Sequence, residues 1–185
     1  MRLISISFII LSITTILPAQ NNDLKDYLES IKQDTMQLNL VSVNGAKFYS
    51  TPEELNYCLG RPDSIVNPHY ECGGFSEDWQ QVVFLQHYFG HIIFIGCGNN
   101  LQIEFVNFDK DTTITLKYRE FSINGSTRIE DMSSIFPKSY KNRYIKNEKS
   151  LIEVMRIAPW PLSDDMVRFW FKNGILSKME YWTPC

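Results

Sequence analysis

Four cysteines and two histidines are the side chains best equipped for chemistry: Cys58, Cys72, Cys97 and Cys185, with His87 and His91. Cys97 beside His91 or His87 would supply a thiol nucleophile and its base, the pair a small cysteine hydrolase needs. His87 and His91 stand four apart, a spacing that on a helix puts both rings on one face for a metal. Gly90 and the strand-rich surroundings argue instead for a strand or a bend. No acidic residue adjoins the pair, and no H-E-x-x-H occurs. Asp109-Lys110-Asp111 offers two carboxylates, too few for a calcium loop, and reads as a hairpin turn. No Gly-rich phosphate loop and no G-x-S-x-G elbow is present. The expectation is therefore no catalytic residue, no metal and no cofactor.

The cysteines take their meaning from the start of the chain. Met1-Arg2 is a short basic opening, Leu3 to Leu17 is apolar, and Pro18-Ala19-Gln20 follows. That pattern predicts a secretory signal peptide over 1–19, too short for a comfortable membrane span. The mature chain, 20–185, is then periplasmic or secreted. In an oxidising compartment four cysteines predict two disulfides, with three possible connectivities. Cys72 and Cys97 sit in Gly-rich turns (ECGG, GCGN), which favours that pair and leaves Cys58 with Cys185. No C-x-x-C occurs, which argues against a zinc ribbon or a thioredoxin motif.

With 185 residues, 44% hydrophobic and 14% aromatic, the chain is long enough to bury a core. A net charge of -3 and the absence of any basic run argue against nucleic acid as a partner.

The elements that must position a site start with a closing hairpin, Val167 to Trp182. Asn173-Gly174 between apolar runs is a strong turn signal. A two-residue turn pairs Phe171 with Leu176 and mixes charge into both faces. A three-residue turn with a bulge at Gly174 pairs Phe171 with Ile175, and Phe169 with Ser177. It collects Val167, Phe169, Phe171, Ile175, Met179 and Tyr181 on one apolar face, so the second register is expected. The other face then carries Met166, Arg168, Trp170, Leu176, Lys178, Glu180 and Trp182. It reads either as a sheet face partly covered by a helix or loop, with Lys and Arg stems on the rings, or as a partner-binding face.

Upstream, Asn22 to Gln33 has the spacing of an amphipathic helix, and Leu38 to Phe48 reads as extended. Thr51-Pro52-Glu53-Glu54 is a capping box that opens a second helix, ended by Gly60-Arg61-Pro62. Pro68 to Asp78 reads as loop, with room for one short strand. Strands are expected at Gln81–Gln86, His91–Gly96, Leu101–Phe108 and Thr112–Phe121, half-buried and antiparallel. Ser42-Val43-Asn44-Gly45 is echoed by Ser122-Ile123-Asn124-Gly125, and Thr51-x-x-Glu54 by Thr127-x-x-Glu130. The chain therefore reads as α+β, with two related halves at about 38–110 and 111–185. Each is a strand, a short capped helix and an antiparallel meander, with the helices on one face of the sheet. Asn142 to Ser150 is polar and reads as surface loop, Leu151 to Ile157 as strand. Ala158-Pro159-Trp160-Pro161 is a stiff loop.

The capped TPEEL helix, its LGRPDS ending and the FKNGIL hairpin, residues 51–64 and 166–182, resemble the SmpA/OmlA (BamE) group and the β-lactamase-inhibitor-protein-like fold. The resemblance implies a small exported domain, repeated in tandem, that binds protein through its open sheet face. The expected function is a non-enzymatic protein-binding module of the inhibitor or immunity type, with a protein partner in the envelope or outside the cell. Trp170, Trp182 and Trp160 would anchor; Arg168, Lys178 and Glu180 would orient. The rivals are a carrier of a small apolar ligand and a hydrolase using Cys97 or the His87/His91 pair.

Overall fold

A computed structural model describes residues 33–185, apart from Thr112 and the side chain of Trp79. The expected signal peptide, and all but the last residue of the expected helix from Asn22 to Gln33, lie outside the described residues.

Two antiparallel sheets organise the chain. The smaller uses β1 (Val41–Val43), β2 (Ala46–Lys47), β8 (Thr115–Tyr118) and β9 (Phe121–Asn124), in the order β2-β1-β8-β9. The larger has nine strands. These are β3 (Tyr49–Ser50), β4 (Ser64–Val66), β5 (Leu85–Phe89), β6 (Ile92–Cys97), β7 (Asn100–Asn107), β10 (Tyr144–Asn147), β11 (Ile152–Ile157), β12 (Met166–Lys172) and β13 (Ile175–Trp182). Its order is β10-β11-β12-β13-β7-β6-β5-β4, with β3 paired to β7. Each edge is thus the first strand of a four-stranded meander, and the meanders meet at their last strands, β13 and β7. The helices are short: Pro52–Leu59, Glu77–Gln80, Met132–Ile135 and Pro137–Lys141. The fold is α+β and dominated by sheet.

The closing hairpin forms, but in a register that differs from the expected one. The turn has two residues, with Lys172 opposite Ile175 and Phe171 opposite Leu176. Asn173 and Gly174 both take positive φ, 53° and 75°, the backbone that fits the twist of the flanking strands. The bulge lies further on, between Trp170/Lys178 and Phe171/Leu176, where Ser177 is the extra residue. Beyond it Phe169 faces Met179 and Val167 faces Tyr181. The alternation is thus corrected at Ser177, not at Gly174. Leu176, not Ile175, joins the inner face.

That inner face is dry. Val167, Phe169, Phe171, Leu176, Met179 and Tyr181 are buried in one cluster with Val43, Leu116 and Ile123 of the small sheet. Leu55, Met132 and Phe136 bring the helices into the same cluster. The small sheet and the helices at Pro52–Leu59, Met132–Ile135 and Pro137–Lys141 therefore cover one face of the large sheet, and the other face is left to the loop between β4 and β5 and to solvent.

The helix at Pro52 starts as expected. Thr51 Oγ1 accepts the Glu54 N–H at 3.2 Å, and Glu54 Oε2 accepts the Thr51 N–H at 2.9 Å. Replacing Thr51 by Ala is expected to cost about 1 kcal/mol, read as a lower urea midpoint at unchanged slope. The second box does not form at Thr127/Glu130. Thr127 Oγ1 instead accepts the Asn124 N–H at 2.9 Å, and Asp131 Oδ2 accepts the Arg128 N–H at 2.8 Å, one residue later. Three strand expectations also change. Gln81–Gln86 is not one strand, because Gln81 ends a helical turn at φ 55° and β5 begins at Leu85. Thr112–Phe121 is split by Arg119, at φ 54°, into β8 and β9. The polar stretch after Asn142 contains edge strand β10.

Candidate functional site

Alternation along β12 and β13 sends Met166, Arg168, Trp170, Lys178, Glu180 and Trp182 to the outer face of the large sheet. Lys146 and Tyr144 of β10, with Arg156 of β11, extend that face. Its cations are held by rings more than by carboxylates. Lys146 Nζ lies 4.2 Å and Lys178 Nζ 4.1 Å from the centre of the Trp170 ring. Arg156 stands 5.0 Å over Tyr144, and Arg168 3.8 Å over Trp182. Attraction between a cation and a ring face fixes these long side chains in place. Arg168 alone among the four has a carboxylate partner in the described residues, donating to Glu180 Oε1 at 3.2 Å. Lys146 and Lys178 thus share one ring with no counter-charge between them.

Trp170 is 7% exposed beneath these stems. Its ring is covered by the two lysine stems and is not open to solvent. Trp182 is half-buried, and Trp160 is 49% exposed in its proline-flanked loop.

The other half of the outer face, over β5 to β7, is acidic and roofed. Glu104 occupies a bulge of β7 opposite the Ile93–Phe94 step of β6. Tyr70, from the loop that crosses this half of the sheet, donates its hydroxyl to Glu104 Oε1. Gln86 Nε2 donates to Glu104 Oε2 at 2.7 Å and to the Tyr70 hydroxyl at 3.1 Å. Tyr88 donates to Gln86 Oε1 at 2.8 Å. Between sheet and loop is an open cavity of about 510 Å³, lined by Phe75, Ile93, Phe105 and Trp182 and bordered by Cys72-Gly73-Gly74 with Thr183 and Cys185. A Cβ on Gly74 would come within 3.1 Å of Thr183 Cγ2, so the strap packs closely on the segment that follows β13.

The disulfide pairing differs from the expected one. Cys72 bonds to Cys185, while Cys58 and Cys97 are free thiols. The Gly-rich turn at 72–74 does meet a chain end, but that end is the continuation of β13, not the β6–β7 turn. Cys97 sits in the last position of β6 opposite Asn100. Cys58 lies exposed on the helix that starts at Pro52. The histidines are not brought together either. His87 lines a small cleft with Asn56 and Pro62, and burial holds its pKa below the ordinary value. His91 lines another, near Asp63 and Asp111. Among the described residues no three His, Cys, Asp or Glu side chains gather to hold a metal.

Glu104 was legible only as one wet position in an alternating strand. Its environment raises its pKa, chiefly through desolvation, against the opposing hydrogen bonds from Tyr70 and Gln86. A carboxyl with a raised folded pKa adds stability that is complete below the unfolded value near 4.5 and is lost as pH rises through the folded one. Wild type should therefore lose stability relative to Glu104→Gln over that window. Urea titrations of both proteins across the acid range check this; a constant difference would show that folding leaves the Glu104 pKa unshifted.

This geometry defines a class: an α+β protein with one buried sheet face and one outer face bearing ring-held cations and a roofed acidic cavity. No known protein family matches the chain, and no curated protein matches it. Among solved structures, a putative beta-lactamase inhibitor protein from Streptococcus mutans is similar at 12% identity. The match covers 86% of this chain and 96% of that one, with a TM-score of 0.23. Among the described residues no helix is long and apolar enough to cross a membrane.

Proposed function

We propose that this chain is an exported, non-enzymatic protein-binding module whose partner, in the envelope or outside the cell, offers an acidic surface to the β10–β13 half of the outer face. It would act by occupying that surface, as an inhibitor or immunity-type protein does. The observation that carries this reading is the pair of ammoniums, Lys146 and Lys178, fixed over Trp170 without a carboxylate. Side chains already ordered by packing lose little entropy on binding, and unpaired like charges gain most from an opposing one. Arg168 and Glu180 orient the partner, Trp182 contributes area, and Trp160 borders the site from its loop. The Cys72–Cys185 bond supports an oxidising compartment.

We read residues 38–110 and 111–185 as two copies of one unit, in keeping with the tandem SmpA/OmlA-like resemblance. The supporting observation is the strand order, in which two four-stranded meanders meet through their last strands, antiparallel. A local two-fold between copies gives that arrangement.

The test is capture from an envelope extract of the producing cell, with wild type against Lys146→Glu/Lys178→Glu. One protein should be retained by wild type, eluted by raised salt, and lost to the folded double variant. Retention unchanged by the charge reversal, or no specific retention, overturns the reading.

A further inference from the structure

The cavity under the Cys72–Cys185 strap has a chemistry of its own. Its lining holds two carboxylates, Glu104 and Glu180, and no Lys, Arg or His. Glu180 is neutralised by Arg168 from outside the cavity. Glu104 has no cationic partner among the described residues; Tyr70 and Gln86 hold its two oxygens. The remaining walls are aromatic and apolar: Phe75, Phe105, Trp182 and Ile93. A volume of about 510 Å³ falls in the range of small-molecule sites, and lies at the small end of it.

We propose that this cavity is a binding site for a small organic cation, an amine or a quaternary ammonium, held by the Glu104 carboxylate and the faces of the surrounding rings. Three independent features of the cavity fit such a ligand. Its net charge is negative, because one of its two carboxylates is uncompensated. Aromatic faces attract a cation and cannot hydrogen-bond to a competing anion. Glu104 is fixed from both sides, so the site does not have to be assembled when the ligand enters. A purely apolar ligand would leave the buried carboxylate with no counter-charge, which disfavours a carrier of neutral apolar molecules. Arg168, 3.8 Å over Trp182, and Lys178, 4.1 Å over Trp170 and 5.7 Å over Phe105, border the cavity through its rings but do not line it, and Phe75 has no cation over it among the described residues. The cavity shares Glu180 and Trp182 with the protein-binding surface proposed above, but the cation is held by Glu104, which that surface does not use.

The probes are choline, n-butylamine and the uncharged carbon isostere of choline, titrated into the disulfide-bonded chain by calorimetry and by Trp fluorescence. Choline or butylamine should bind and the isostere should not. Glu104→Gln keeps the shape and removes the charge, and should weaken the cation by about tenfold or more. Lys117→Ala, at an exposed position of β8 in the small sheet and away from the cavity, should bind as wild type does. Three results would each overturn the proposal: equal binding of choline and its isostere, unchanged affinity in Glu104→Gln, or no cation binding at millimolar concentration. Circular dichroism of Glu104→Gln must match wild type, and Tyr70→Phe, which removes only the hydroxyl that steadies Glu104, should weaken the cation in the same direction. Unchanged affinity in that variant would count against a fixed carboxylate as the group that holds the cation.

Discussion

Replacing Cys72 and Cys185 together by alanine is expected to lower stability by about 3–4 kcal/mol. The bond joins residues 113 apart. Closing so long a loop removes many conformations from the unfolded chain, so most of the effect is exerted on the unfolded state. For a domain of this size the melting temperature should fall by roughly 10 °C. The check is urea denaturation of the double variant, and of wild type with and without reductant. Both routes should give a midpoint lowered by the same amount. The free thiols of Cys58 and Cys97 complicate the reduced protein, because they can exchange with the bridge as it opens. Cys58→Ser/Cys97→Ser removes that route and should keep wild-type stability. A cysteine-free strap that costs nothing would mean the unfolded chain already holds residue 72 near residue 185. The same double variant should bind choline more weakly, since the bond holds one wall of the cavity.

Phe169→Ala is expected to cost about 3–5 kcal/mol. Phe169 is fully buried in the middle of β12, between Met155 on β11 and Met179 on β13, both also fully buried. Truncation removes a large ring from the centre of the inner face. It leaves a void that three neighbouring strands, tied by their ladders, cannot close. Phe169→Leu refills most of that volume and should cost well under half as much. The readout is again the urea midpoint at constant slope, compared with Lys178→Ala on the opposite face. Lys178→Ala should stay within about 0.5 kcal/mol. If Phe169→Ala matched Lys178→Ala, the assignment of inner and outer faces would be wrong.

The closing hairpin also shows how far the fold could be read in advance. The inner face of β12 and β13 was legible because Val167, Phe169, Phe171, Met179 and Tyr181 alternate with charged neighbours. The turn was legible because Asn173-Gly174 suits positive φ. The register between them was not, since a bulge at Ser177 and one at Gly174 bury nearly the same set of side chains. They differ only in whether Ile175 or Leu176 goes inside. The helix at Pro52 was visible in Thr51 and Glu54, whose reciprocal hydrogen bonds depend on local spacing alone. Edge strands β4 and β10 were hidden because every one of their residues is exposed. Without a buried face a strand has no alternation to display. The cysteine pairing was out of reach for another reason. Cys72 meets Cys185 only because the loop after β4 crosses the outer face, and that crossing has no local signature. The cavity inherits the same difficulty: Tyr70, Glu104 and Trp182 come from distant stretches. Of the outer-face cations, Arg168 and Lys178 were legible from the alternation of the hairpin, whereas Lys146 lies in a polar stretch that reads as loop and Arg156 carries no signal of its own.

The open ends of the large sheet carry a further consequence. At β4, Ile65 and Val66 stand 52% and 45% exposed; at β10, Ile145 is 58% exposed. Unpaired strand edges are templates on which another chain can polymerise. Here growth is discouraged by brevity, since the edges are three and four residues long, and by a charge, Lys146, in the middle of β10. Lys146 is thereby a gatekeeper against fibre growth as well as a partner of Trp170. A change that trades its charge for an apolar side chain would convert a binding surface into an aggregation seed.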